Sequence, residues 1–222
     1  MTFEKVNSKV VKVDLSSGDV LARKGAMLFY TGDVRFSPHG PGSHGGGMGQ
    51  ISGLVGMAGR AMAGEHQAMM AATGRGEVFY GRAGLHVTVV TLNGQALTVE
   101  ASRLLVHSAD LQLSVLVLGQ QGGVRSMVRG AVTGQGLFTT QLQGQGSVTL
   151  LSHGGTLELP VRGGVPTVVD PQAYVGHRGN VQVDIAASMG WRDVAGRGSG
   201  EAVQLKLTGD GVVYVQASEQ KL

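Results

Sequence analysis

Histidines are the residues of this chain best suited to metal chemistry, and there are seven of them. Two of them lie five positions apart and five stand singly: His39 and His44, then His66, His86, His107, His153 and His177. A metal-dependent enzyme of the cupin type needs a His-x-His pair, and a tetrahedral site needs three or four converging ligands. The sequence has no His-x-His. A metal-dependent small-molecule enzyme is therefore the least favoured function, and we predict no metal ligand.

The sequence also lacks the patterns of a catalytic nucleophile or a nucleotide loop. It has no cysteine and no Gly-x-Ser-x-Gly, the turn that exposes a catalytic serine. The stretch Gly47–Gly53 resembles a dinucleotide-binding loop, but such a loop follows a strand and has an acidic residue about 20 positions later. A stretch rich in proline and glycine precedes it instead. We therefore predict that the protein is not an enzyme and has neither catalytic residues nor a cofactor.

The composition of the chain favours a folded, β-rich protein. Charged residues make up 15% of the chain and glycine occupies 38 positions, while valine and leucine recur in short alternating runs. Alternation with a period of two is typical of half-buried strands. The sparse charge also suggests that copies of the protein cover part of its surface.

The same composition limits location and partners. The absence of cysteine fits a reducing cytoplasm, and Met1–Lys5 do not open a secretory signal. The uncharged, glycine-rich stretch Gly45–Gly59 is shorter than the roughly 20 apolar residues of a membrane-spanning helix. A net charge of +3 with scattered basic residues does not indicate nucleic-acid binding. We predict a cytoplasmic protein for which membrane-surface contact is not favoured.

A Gly-x-Gly motif recurs three times between alternating runs of the sequence. The first glycines of the three motifs lie 70 and 65 positions apart, at 74, 144 and 209. Glycine accepts the positive φ of a tight reversal, so this pattern predicts a hairpin turn. We predict structural hairpin glycines at Gly74, Gly76, Gly144, Gly146, Gly209 and Gly211.

A second segment recurs as well. Met27–Ser37 matches Leu104–Ser114 without a gap, and a looser third copy starts at Thr167. Each copy predicts a strand, a polar turn and a strand. The two recurring segments together predict three units, at about 51–118, 122–188 and 189–222 completed by 1–37, within one domain over 1–222. The third unit requires strands near Val11–Leu15 and Leu207–Gln216 to be neighbours.

The predicted architecture is all-β, with three pseudo-repeated β-units forming a double-stranded β-helix or a sandwich-like barrel. Such a barrel would be a single closed body. Short helical connectors are expected before each Gly-x-Gly motif, within 51–72, 122–132 and 189–198. The proline and glycine content of 38–50 predicts a loop there.

Four methionines form a candidate interface: Met57, Met62, Met69 and Met70. Methionine fills irregular gaps in a core and also serves adaptable contact surfaces. Core packing and a subunit or partner interface are therefore both open at this point. A membrane-surface helix is less favoured, because Arg60 is the only cation in this stretch.

Short motifs in a specific order resemble the altered inheritance of mitochondria (Aim-twenty-four) family, as a bacterial member. The resemblance covers about Ile51 to Ala217. The motifs that carry it are Gly64-Glu65, Gly134–Phe138, Gly144–Val148, Val168–Pro171 and Leu207–Gln216. His66–Met69 departs from the usual aliphatic and aromatic run of the family.

The resemblance implies a β-rich fold similar to the tryptophan RNA-binding attenuation protein. It also implies self-association, with a trimer favoured, and it implies no enzyme activity. The leading hypothesis is a non-enzymatic, self-associating β-scaffold that presents loops to a protein partner or a small ligand. The alternative is an RNA-binding module, which depends on fold analogy and a mild positive charge.

Overall fold

The computed structural model describes residues 3–39, 68–117, 138–187 and 203–219. These residues form thirteen β-strands and two short 3₁₀ turns, Leu15–Ser17 and Ala101–Arg103, so the prediction of an all-β protein is confirmed. The strands are β1 (Phe3–Asn7), β2 (Val10–Asp14), β3 (Val20–Arg23), β4 (Met27–His39), β5 (Met69–Tyr80), β6 (His86–Glu100), β7 (Leu104–Ser108), β8 (Gln112–Val117), β9 (Phe138–Ser152), β10 (Thr156–Val161), β11 (Thr167–Val169), β12 (Tyr174–Ala187) and β13 (Val203–Gln216).

All thirteen strands belong to one sheet. Its order is β1-β2-β5-β3-β7-β9-β6-β12-β13-β10, with β4 on β5, β8 on β9 and β11 on β13. The strand pairs are antiparallel. Within the described ranges the two ends of this order, β1 and β10, do not pair, so the sheet is open and the predicted closed barrel is not confirmed.

Three long strands, β5, β9 and β13, each have a partner on both sides, and we call them the central strands. On one side of each lies a first strand, which is β2 with β3, β6, or β10 with β11. On the other side lies a second strand, which is β4, β7 with β8, or β12. In each case the chain runs from first to second to central strand. The three resulting groups occupy 10–80, 86–152 and 156–216.

The predicted unit boundaries are therefore wrong. They paired each Gly-x-Gly motif with the segments that follow it in the chain, whereas each central strand pairs with the segments that precede it. The strands near Val11–Leu15 and Leu207–Gln216 are not neighbours either. Both edges of β2 are occupied by β1 and β5, and both edges of β13 by β12 and by β10 with β11.

The six glycines predicted to turn hairpins lie inside the central strands, so the hairpin prediction is wrong. Gly74 and Gly76 are in β5, Gly144 and Gly146 in β9, and Gly209 and Gly211 in β13. Four of them do have the positive φ that was expected: Gly74, Gly76, Gly144 and Gly209. The motif marks a bend through which one strand continues.

Two hydrogen bonds show how sharp the bend in β5 is. Lys24 N–H donates to the carbonyl of Ala68 at 2.8 Å, and Gly81 N–H donates to the carbonyl of Ala26 at 3.0 Å. A straight strand from Ala68 to Gly81 would span more than about 40 Å. Lys24 and Ala26 are two residues apart, at most about 7 Å. The two halves of β5 therefore fold back toward each other.

The other two central strands bend in the same way. Glu100 pairs with Thr139 and Leu104 pairs with Leu150, although four positions separate the first residues of these pairs and eleven separate the second. In the third group, β11 pairs with the start of β13 at Leu205, and β12 begins a few residues later opposite Val215. Each central strand thus carries two short layers of sheet that face each other.

The core consists of three apolar clusters. The largest includes Val11, Val78 and Tyr80 of the first group, together with Leu105 and Leu151 of the second. The second cluster lies mostly in the second group but includes Tyr214 of the third, and the third cluster lies within the third group. Neighbouring groups therefore share core side chains.

The remaining predictions on connections are tested only in part. Met27–Ser37 belongs to one strand, β4, rather than to a strand, a turn and a strand, while Leu104–Ser114 does contain a turn between β7 and β8. β4 ends at His39 and β5 begins at Met69. Of the predicted loop at 38–50, Pro38 and His39 belong to β4, and of the predicted connector within 51–72, residues 69–72 belong to β5. The rest of the loop, residues 51–67 of that connector, and the predicted connectors within 122–132 and 189–198 lie outside the described residues.

Candidate interaction surface

The first half of β4 exposes a run of large apolar side chains. Met27, Leu28, Phe29 and Tyr30 are consecutive, and each is at least 40% exposed. Consecutive side chains of a strand point to opposite faces. Both faces of this half-strand are therefore uncovered, and we call these four residues the β4 apolar strip.

Aromatic contacts hold part of the strip in place. The ring of Phe29 stacks on that of Phe79 with centroids 4.1 Å apart, and the ring of Tyr30 meets Phe36 edge-on at 5.4 Å. Aromatic side chains have few rotatable bonds, so rings already ordered in this way lose little entropy when a partner covers them. The strip is suited to forming a contact.

Other outer strands also expose apolar side chains. Leu113 and Leu116 lie on β8, Leu157 and Leu159 on β10, and Val168 on β11, and all are exposed. In the described part of the chain, each of these strands and β4 has one strand partner only. A free strand edge with apolar side chains is prone to pair with another chain.

Two of the four predicted interface methionines lie at the start of β5. Met69 pairs with His39 and Arg23, and Met70 pairs with Pro38 and Ala22, so both sit between β4 and β3 and are half-buried. Met69 packs against the second apolar cluster. Met57 and Met62 lie outside the described residues, and the interface role of all four stays a prediction.

Of the five histidines that the structure describes, two are buried in second strands. His107 is in β7, where its Nδ1–H donates to the carbonyl of Ser108 at 2.9 Å, and its Nε2 has no hydrogen-bond partner within the described residues. Burial lowers the pKa of His107 to about 4. Its ring is therefore uncharged at neutral pH.

The second buried histidine, His177, is in β12. Its Nδ1 lies 2.6 Å from the hydroxyl oxygen of Tyr174, which forms a hydrogen bond. Burial lowers the pKa of His177 to about 4 and raises the pKa of the Tyr174 hydroxyl. Both groups are neutral, as a buried hydrogen-bonded pair should be.

A polar cluster next to this pair joins the second and third groups. Arg103 is buried, with Nε 3.6 Å from a carboxylate oxygen of Glu100 and Nη2 donating to the carbonyl of Gln172. Gln216 Nε2 donates to the same carbonyl at 3.0 Å, and its Oε1 accepts from the backbone of His153. These contacts satisfy backbone and side-chain groups of the fold.

The described residues do not assemble a metal-binding cluster. No group of three or more His, Cys, Asp or Glu side chains in them is placed to hold a metal ion. The same ranges contain no helix that could span a membrane.

The feature of the described residues that best suits contact with a partner is the β4 apolar strip. Sequence reasoning used these four residues to find the repeat but did not single them out as a surface.

Comparison with known proteins places this open, all-β sheet in a family. Residues 1–218 match the family described as mitochondrial biogenesis AIM24, and the chain belongs to it, as the sequence motifs predicted. The crystal structure of protein SPYM3_0169 from Streptococcus pyogenes is similar in fold, with a TM-score of 0.69 and 21% identity over 98% of this chain and 92% of that one. A search of curated proteins found no match. The likeness to the tryptophan RNA-binding attenuation protein stays a prediction.

Proposed function

We propose that this protein is a non-enzymatic scaffold of three like β-groups that associates with copies of itself. A trimer is the favoured assembly, in a bacterial cytoplasm. The observation that carries the proposal is the β4 apolar strip, with four consecutive large apolar residues at least 40% exposed. Extended apolar patches on a soluble protein mark contact surfaces.

Simple energetics support association through this strip. Full burial of one such side chain contributes about 1.5–3 kcal/mol. Covering four half-exposed ones would therefore favour association by roughly several kcal/mol before the cost of docking. The low charge of the chain, 15% of residues, offers little to oppose the contact.

The second part of the proposal is that the scaffold presents loops to a protein partner or a small ligand. Each second strand and its central strand end opposite each other, in the pairs His39 with Met69, Val117 with Phe138 and Ala187 with Val203. The segments 40–67, 118–137 and 188–202 connect these ends. These strand ends lie at corresponding places in the three groups, which suits a shared role for the segments that they flank.

Native mass spectrometry of two charge variants tests the self-association. Phe29→Lys places a charge in the strip and should shift the oligomer to monomer at micromolar concentration. Val6→Lys is the matched control, because Val6 is 49% exposed but lies on β1, which pairs with β2 and not with β4 in the described residues. Circular dichroism should show both variants folded. An unchanged oligomer in Phe29→Lys would refute the role of the strip.

A further inference from the structure

We propose that the self-association contact is a strand pairing in which β4 of one copy lies antiparallel to β11 of a second copy. The inference rests on the proposed self-association and names the two surfaces that make it. It follows from two pairings between groups inside the chain, whose register can be extended to a third.

The two internal junctions join the first strand of one group to the second strand of the next. At the first junction β3 pairs with β7, with Leu21 opposite His107. At the second junction β6 pairs with β12, with Thr98 opposite His177. Both are antiparallel.

The second strands can be aligned by their pairing with the central strands. Each has a register shift at its start, between Met27 and Phe29, Leu104 and Val106, or Tyr174 and Gly176. The residues that stand one position beyond the end of the shift are Tyr30, His107 and His177, and these three therefore correspond to one another. Each of these three lies opposite a valine of its central strand, and these valines are Val78, Val148 and Val213.

The first strands can be aligned in the same way. Leu21 lies opposite Ala71, Thr98 opposite Gln141 and Val168 opposite Lys206. Each of these partners stands three positions before the first glycine of its Gly-x-Gly motif. Leu21, Thr98 and Val168 therefore correspond to one another.

The two internal junctions thus have one and the same register. Leu21 lies opposite His107 at the first junction, and the corresponding residues Thr98 and His177 lie opposite each other at the second. The same register can be applied to the two strands that remain, β11 of the third group and β4 of the first group. It places Val168 of β11 opposite Tyr30 of β4. Their neighbours give Thr167 opposite Thr31 and Val169 opposite Phe29.

Exposure separates the paired positions from the unpaired ones. Leu21, His107, Thr98 and His177 are each 7% exposed or less, whereas Val168 is 54% and Tyr30 is 45% exposed. Within the described ranges, β4 pairs with β5 alone and β11 with β13 alone. The two surfaces that a third junction would bury are therefore both open. An aromatic residue opposite a β-branched one is a favourable cross-strand pair.

A second copy is the partner that fits these edges. Among the residues that the structure describes, the open sheet leaves β4 and β11 unpaired with each other inside one chain. Joining β4 of one copy to β11 of the next is a head-to-tail contact, which closes into a ring when the rotation between copies allows. Such a ring agrees with the favoured trimer.

Disulfide trapping tests the pairing, because the chain has no cysteine of its own. Single variants Tyr30→Cys and Val168→Cys are purified separately, mixed and oxidised, so that a link between them must join two chains. Thr31→Cys with Thr167→Cys forms a second pair, since opposite residues alternate between close and wide spacing in an antiparallel ladder. The matched control is Tyr30→Cys with Val165→Cys. Val165 is 75% exposed, but it stands three positions before Val168 and so outside the proposed pair.

We expect a heterodimeric link in at least one test pair to form about tenfold faster than in the control, because pairing raises the effective concentration of the thiols. Native mass spectrometry of the unmodified protein is run in parallel. An oligomer whose test pairs link no faster than the control would overturn this inference and leave self-association standing. A monomer would overturn both. A link formed inside one chain of the double variant Tyr30→Cys/Val168→Cys would also overturn the inference, since it would close the sheet within a single copy.

Discussion

A Cβ atom added at Gly211 would lie 2.2 Å from the carbonyl oxygen of Arg178 and 2.6 Å from Cγ2 of Val181. The same construction at Gly76 gives 2.0 Å from the carbonyl oxygen of Thr31. At these bends a second strand crosses its central strand too closely for any side chain. The glycines are needed for close approach as much as for φ.

Gly211→Ala should therefore be strongly destabilising. The methyl group meets backbone that cannot move without opening the bend, so we expect a loss of about 2–4 kcal/mol in the free energy of unfolding. Urea denaturation gives the value. Gly163→Ala is the control, because the nearest atoms to its added Cβ are 4.0 Å away and belong to the Asp210 side chain. Equal midpoints for the two variants would contradict the account of the bend.

The two buried histidines predict a loss of stability in mild acid. Their folded pKa values are about 4, while an unfolded histidine titrates near 6.5. Between these values the unfolded chain binds the proton and the folded chain does not. Stability is therefore complete above pH 6.5 and falls as the pH drops toward 4.

Each buried histidine should contribute about 3 kcal/mol to this loss. His107→Leu removes one titrating ring and a buried nitrogen without a partner, so the decline from pH 7 to pH 4 should become shallower by about that amount. Urea midpoints measured at intervals across this range give the comparison. A variant whose decline parallels that of the natural chain would show that His107 is not responsible.

At the scale of elements, the 3₁₀ turn Ala101–Arg103 connects β6 to β7 and depends on Glu100. The carboxylate of Glu100 accepts a hydrogen bond from the Ser102 backbone N–H at 3.1 Å and lies 3.6 Å from Nε of the buried Arg103. Removal of the Glu100 carboxylate would leave the turn without its cap and the buried Arg103 without this neighbouring negative charge.

Glu100→Ala is therefore expected to destabilise the fold by about 3 kcal/mol. Thermal or urea denaturation would measure it, with Glu158→Ala on the exposed face of β10 as control. A Glu100→Ala variant as stable as the control would mean that Arg103 is held by its other contacts, such as its bond to the carbonyl of Gln172.

Elements also show what the sequence could and could not predict. Alternation correctly indicated strands on both sides of Gly144 and Gly146, and both sides belong to β9. A hairpin and a bend, however, look alike locally, because each is glycine between two alternating runs. Only the pairing of residues far apart in the chain distinguishes them. The same holds for exposure, since Tyr30 and His107 occupy matching positions and only the sheet around them makes one exposed and the other buried.

At the scale of the whole molecule, the sheet is an open row of three bent groups. Its internal junctions bury the positions that correspond to Tyr30 and Val168, whereas these two residues are exposed on β4 and β11 in the described part of the chain. The family match over 1–218 and the fold shared with the streptococcal protein place this arrangement among known proteins without assigning a role. The free edges of β4 and β11 and the β4 apolar strip support the self-association that we propose.

The subunit number of the unmodified, full-length protein tests this claim most directly. Native mass spectrometry at micromolar concentration should report a homo-oligomer, with three subunits the expected count. A species that remains monomeric at every concentration up to the solubility limit would contradict the claim.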